Sequence, residues 1–197
     1  MPYGDLDDFK AQHSLGSEFL DDAIERELQT ASDDINLATG QRFDLTDEET
    51  RYFRVDYRSR YVDIRPPVAV VTSVHVDRDD DGTYGEDWDL NTQYVLEPLN
   101  AEADGKPWRF LRLRGDRYSF PDVSYGAANV KIVGQFGWLA VPSMIVSATY
   151  LLAIRYLKRA EAPFAMIPGE GAAAMIARTD PDAYRLIRPF ILKSEVA

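Results

Sequence analysis

The chain has 197 residues, 45% of them hydrophobic and 28% charged, with 33 acids against 22 bases and a net charge of -11. That length buries a core as one large domain or two small ones, and the composition excludes a disordered chain. There is no Cys and there are 2 His, His13 and His75, which excludes disulfides, thiolate sites, Cys nucleophiles and most zinc sites. The acid surplus argues against non-specific nucleic-acid binding.

Residues 1–49 carry 14 acids and 3 bases, so the imbalance sits at the front. The opening MPYGDLDDFK is acidic where a targeting peptide would be basic, and a soluble protein made in a cytoplasm is expected. A short helix is predicted over Asp5–His13. A longer one is predicted over Glu18–Thr39, with Ser17 as N-cap and Gly40 as its stop. Ile24, Leu28, Ala31 and Ile35 recur at spacings of three and four along it.

Residues 50–138 read as β. Strands are predicted at Thr50–Tyr57, Arg60–Ile64, Val68–Val76, Gln93–Glu97, Trp108–Arg114 and Asn129–Trp138. Pro66-Pro67 is expected to start a new segment. Val70, Thr72, Val74 and Val76 should share one face, and so should Val130, Ile132, Phe136 and Trp138. Asp77–Asp87 reads as an acidic loop.

A second long helix is predicted over 142–160, opened by Pro142 and ended by Lys158, Arg159 and Pro163. Met144–Ile154 is apolar nearly all round, so it must be covered, either by its own chain or by a neighbouring subunit. The most apolar run, Met144–Leu157, contains Ser147, Thr149 and Arg155 and falls short of a membrane span of about 20 residues. A further short helix fits near Asp180-Pro181. The fold class expected is α+β: N-terminal helices, a central mainly antiparallel β region, a long C-terminal helix and an extended tail. A single domain should span 1–167. Residues 168–197 should form an arm that docks on another subunit. The competing reading folds Tyr184, Leu186 and Ile187 back onto their own subunit.

Four patterns carry candidate chemistry. Asp77, Asp79, Asp81 and Gly82 match the start of a calcium loop, but its twelfth position is Trp88 instead of Glu, and flanking helices are missing. Gly169, Gly171 and Ala174 match a dinucleotide fingerprint in letters only, without a preceding strand. A Ser-His-Asp triad would need His13 or His75, and neither has a G-x-S-x-G partner. Asp79 and Glu86 could act as an acid–base pair, although coincidental carboxylate pairs are expected in so acidic a chain. Arg109, Arg112 and Arg114 look like one strand face. No catalytic, cofactor or metal residue is assigned.

The order of segments resembles one family. Val130–Met166 contains a strand ending in Gly134-Gln-Phe-Gly137-Trp138, a Pro142-started apolar helix, and the stop Ala162-Pro163-Phe164. Upstream stand Leu37-Ala-Thr-Gly40-Gln-Arg42-Phe43, Arg65-Pro-Pro-Val68 through Asp77, and Tyr94-Val95-Leu96. This pattern is similar to tailed-bacteriophage head–tail connector proteins, also called adaptor or head-completion proteins, over roughly Leu20–Met166. The loop 77–89 and the insertion Asn100–Tyr125 depart from it. The resemblance implies a structural virion protein and no enzyme. It implies a homo-oligomeric ring of twelve subunits between the portal and a downstream neck or tail protein. DNA would pass through its channel without specific binding, and no cofactor or membrane would be involved. A calcium-stabilised β-rich binding module is the alternative, and a small carboxylate hydrolase the third.

Overall fold

A computed structural model describes residues 2–15, 20–122, 127–160 and 180–192. The architecture is α+β. It divides into two compact units, one from residues 1–43 with 141–197 and one from residues 44–140. One contiguous β unit is thus inserted in the sequence between helices that pack together.

The helical unit contains α1 (Leu6–His13), α2 (Asp21–Thr39), α3 (Ser143–Ala160) and α4 (Pro181–Ile187), the last followed by a 3-10 turn over Arg188–Phe190. Asp5 caps α1 by accepting the N–H groups of Asp7 and Asp8 at 2.9 and 3.0 Å. Gly40 ends α2 as expected. The expected cap Ser17 lies outside the described residues. Ile24, Leu28, Ala31 and Ile35 are all fully buried, so the spacing read from the sequence is the core stripe of α2.

α3 packs against both α2 and α4. Ile145, Ala148, Leu152, Ala153 and Leu157 are buried within this chain alone, and no subunit contact is needed to cover them. Phe9 of α1 meets Tyr150 edge-on at 5.4 Å, and the Tyr150 hydroxyl accepts the Asp5 N–H at 3.0 Å. His13 stacks near Phe9 with its Nε2 buried and without a hydrogen-bond partner. Burial, and then the Lys158 charge, hold its pKa below the ordinary value.

The described part of the expected arm is seated on its own helices. Ala183 and Ile187 are fully buried. Phe190 stacks edge-on against Phe43 at 5.6 Å, and the Leu192 N–H donates to Thr39 O at 2.9 Å. Arg155 of α3 pairs with Asp180 and Asp182. Residues 180–192 thus pack into the helical core through Ala183 and Ile187, while Tyr184 stays exposed. Residues 168–179 and 193–197 of that expected arm fall outside the described residues, as does the Gly169–Ala174 pattern.

A polar contact links α2 and α3. The Tyr156 hydroxyl donates to Asp34 Oδ2 at 2.7 Å, and Asp34 is 8% exposed. Burial raises the Asp34 pKa above its ordinary value, and the bond from Tyr156 partly opposes that shift. Burial raises the Tyr156 pKa strongly, with Asp34 adding to it, so the phenol stays a donor. A carboxyl with a raised folded-state pKa stabilises most when pH is below its unfolded value, and that contribution is lost as pH rises through the folded value. At neutral pH the Asp34 charge therefore depends on its donor. Tyr156→Phe should cost about 1.5–3 kcal/mol at pH 7. The loss should shrink as pH falls, and should do so before the ordinary carboxylate range is reached, because the raised pKa protonates Asp34 earlier than a free Asp. Asp34→Asn, which keeps an acceptor, should cost less at pH 7. Urea unfolding of the three proteins at pH 7 and over a falling pH series checks this order.

The β unit is one antiparallel sheet in the order β1-β6-β2-β5-β4, with β3 also pairing β2. The strands are β1 (Glu49–Phe53), β2 (Tyr61–Val76), β3 (Glu86–Trp88), β4 (Tyr94–Glu97), β5 (Trp108–Leu113) and β6 (Val130–Phe136). Its core is made by Val62, Ile64, Val74, Leu111, Ile132 and Phe136 with their neighbours on the same face.

β2 corrects the sequence reading in two ways. It runs 16 residues straight through Pro66-Pro67. The prolines fall where its pairing to β5 shifts register, between Asp63 and Val68, so the ladder loses no donor that it needs there. Its pairing with β6 also shifts between Val68 and Val70 and between Val71 and Ser73. Each shift reverses the facing of the residues beyond it. Val68, Val74 and Val76 therefore reach the core, whereas Val70 is 37% exposed.

Candidate functional site

The loop after β2 is closed by its own backbone. Asp77 is buried, and its carboxylate accepts the N–H groups of Asp81 at 3.3 Å and Gly82 at 2.9 Å. Asp79 and Asp81 are exposed. Glu86 accepts from Arg78 Nε at 2.7 Å and from Trp88 Nε1 at 2.9 Å. The Arg78 bond holds its pKa below the ordinary value against opposing burial. The first calcium-loop position is thus engaged in shaping the loop, and Glu86 is committed to Arg78 and Trp88 instead of forming an acid–base pair with Asp79. Among the described residues no group of three or more His, Asp or Glu could hold a metal ion. The loop also ends in β3, which sequence reading missed because three residues are too few to show a period.

A constellation that the sequence reading set aside does assemble. Ser73 Oγ lies 2.8 Å from His75 Nε2, and His75 Nδ1 lies 2.5 Å from Asp87 Oδ1. The register sets Asp87 directly opposite His75, and Ser73 follows at i-2 on the same face. The group borders an open cleft of about 600 Å³, walled also by Val71, Leu90, Leu96 and Trp108. These are the pairwise contacts of a hydrolytic triad. The environment differs, however. The Asp87 side chain is 79% exposed, so water solvates the carboxylate that would have to stabilise an imidazolium. Ser73 lies within the β2–β6 ladder opposite Val133, not on a strained turn that lifts a nucleophile into a pocket. The arrangement acts as a cross-strand polar pair that holds β3 to β2. Its sequence signal was S-x-H, legible only once Asp87 is known to face it.

The three arginines do not form one patch. Arg109 pairs with Asp63 at 3.3 Å and Arg112 with Glu97 at 2.8 Å, while Arg114 donates to the Asn91 carbonyl. His13 lies in the helical unit, apart from any such constellation.

The Gly134–Trp138 motif has a steric cause. A Cβ on Gly134 would lie 2.1 Å from the Val70 carbonyl oxygen, which the β2 irregularity pushes toward β6. Gly137 has φ +105°, and a Cβ there would lie 1.9 Å from the Asp44 carbonyl oxygen. The chain entering β1 crosses here: the Thr46 N–H donates to Phe136 O at 2.9 Å, and the Phe136 N–H donates to Thr46 Oγ1 at 2.9 Å. The motif thus marks a backbone crossing, and no ligand chemistry attaches to it.

No protein-family model matches the chain, and no curated protein matches it significantly. Solved structures do. One is a chain from the neck of an empty gene transfer agent particle computed with C6 symmetry. It is 19% identical, with a TM-score of 0.59 over 99% of this chain and 93% of that one. Another, from the virion of the native gene transfer agent particle, is 18% identical with a TM-score of 0.57, over 99% and 93% of the two chains. A third, from the neck of the native particle computed with C12 symmetry, is 17% identical with a TM-score of 0.56, over 98% and 91%. No helix among the described residues is long and apolar enough to cross a membrane. Over nearly its whole length, the chain shares its fold with chains from these phage-like gene transfer agent particles, two of them solved as necks.

Proposed function

We propose that this chain is a structural virion protein of the head–tail connector type, a ring-forming subunit of the neck. Twelve copies would join the portal at the capsid vertex to a downstream neck or tail protein and extend the DNA channel. The observation that carries this reading is the shared fold across almost the full length of both chains, in particles whose necks were computed with C6 and C12 symmetry. The order of the sequence motifs supports it independently. The steric role of Gly134 and Gly137 explains why a Gly-rich turn should recur at the end of that strand. The channel function calls for no cofactor and no specific base contact; an acid surplus suits passage of DNA without retention.

Electron microscopy of the purified protein, alone and mixed with its portal, tests the proposal. Closed rings of twelve, seated on the portal in the mixture, are the expected result. A protein that stays monomeric with and without portal, and that mass spectrometry does not find in purified particles, would overturn it.

A further inference from the structure

Strand β2 has a gap along one side. On the side away from β6 it pairs β5 at Tyr61–Asp63 and Val68, and β3 at Val74–Val76. Both partners run antiparallel to it, so β5 and β3 lie along the same side of β2. Between them, residues 69–73 have no strand partner on that side among the described residues. Five residues of extended chain span roughly 17 Å. The cleft of about 600 Å³ opens along this stretch. It is lined by Ala69–His75 and by Trp88 and Trp108, the last residue of β3 and the first of β5.

The other lining residues give the cleft its chemistry. Val70, Leu90 and Leu139 are 37%, 49% and 62% exposed. Asp87 is bound to His75, and Lys106 pairs with Asp104. Asp89 and Glu102 also border the cleft, are exposed, and pair with no cation among the described residues.

These features specify an occupant. Successive backbone N–H and C=O groups along a bare strand side are matched by another extended backbone, which adds as a strand. The apolar lining suits aliphatic side chains at alternate positions, and the two unpaired carboxylates suit Lys or Arg beside them. A second copy of this chain, at a net charge of -11, is a poor electrostatic match to those carboxylates. We propose that the gap in β2 is a strand-addition site, filled by an extended apolar and basic segment of a different protein chain. The site does not depend on ring formation.

Peptide titration of the full chain tests this. The probe is the acetylated, amidated peptide Lys-Val-Thr-Val-Lys, and the fluorescence of Trp88 and Trp108 reports on the cleft. A dissociation constant of about 0.1 mM or tighter is expected. The same peptide N-methylated at its three central amides, and a peptide with Glu in place of both Lys, should each bind at least about tenfold more weakly. Asp89→Lys with Glu102→Lys, with a melting curve like wild type, should reverse the preference and favour the Glu peptide. The amides of residues 69–73 that do not donate to β6 should exchange rapidly in the free protein and become protected when the Lys peptide is added.

No binding of the Lys peptide at about 1 mM, equal binding of the N-methylated or the Glu peptide, or an unchanged preference in the charge-reversed protein would each overturn the site. Protection of those amides in the free protein at every concentration would mean that the chain covers its own gap. Protection that grows with protein concentration would mean that a second copy does. Either result overturns the assignment to a different chain.

Discussion

Gly137→Ala is expected to destabilise the β unit by more than about 3 kcal/mol. Two costs combine at this position. The backbone sits at φ +105°, and a Cβ would overlap the Asp44 carbonyl oxygen at 1.9 Å. An L-residue held at positive φ costs about 1–2 kcal/mol, and forcing extra volume into a packed site costs about 1–3 kcal/mol more. Relief would require moving residues 44–46, which Thr46 stitches to Phe136 through two hydrogen bonds. Gly134→Ala should be similarly severe from overlap alone, since the obstructing atom is the Val70 carbonyl oxygen at 2.1 Å. Gly85→Ala is the control: nothing lies within 4 Å of its Cβ position and no positive φ is required, so a change within about 0.5 kcal/mol is expected. Guanidinium unfolding followed by tryptophan fluorescence reads all three. Near-wild-type stability for Gly137→Ala would mean that the crossing of residues 44–46 over β6 is wrong.

Ending the chain at residue 179 should lower the melting temperature by about 12 °C or more. The deletion removes Ile187, which is fully buried, and burial of such a side chain stabilises by about 1.5–3 kcal/mol. It also removes the edge-on contact of Phe190 with Phe43, worth about 0.5–1.5 kcal/mol. Arg155 is left without its two carboxylate partners. A loss of about 3 kcal/mol in a unit of this size shifts melting by about 4–8 °C per kcal/mol. The point variant Ile187→Ala should reproduce a large part of the shift, at about 2–5 kcal/mol. Scanning calorimetry of the truncated and point variants decides the matter. An unchanged melting temperature would restore the expectation of an arm that serves only a partner.

The helices and most strands were legible because their signals are local. The i, i+3, i+4 recurrence of Ile24, Leu28, Ala31 and Ile35 needs only one solvated side and one dry side. Asp180 before Pro181 caps α4 with hydrogen bonds to the N–H groups of Asp182 and Ala183, both at 3.1 Å, and that pattern lies within four residues. β4, β5 and β6 each fall inside their expected spans.

What the sequence could not determine depends on pairing across distance. Pro66-Pro67 reads as a break because proline removes a donor, yet no donor is needed where the β2–β5 register shifts. Alternation predicts that Val70 faces the core, but two irregularities against β6 turn it outward, and only the partner strand specifies them. Ser73, His75 and Asp87 converge because β3 folds back on β2. The tail looks free when it is read alone, since a helix of 7 residues is marginal in water. Packing against α3 is what makes it stable. Periodicity and capping are set by neighbours along the chain, whereas register, edge exposure and the cover over an apolar face are set by neighbours in space, and only the tertiary structure supplies those.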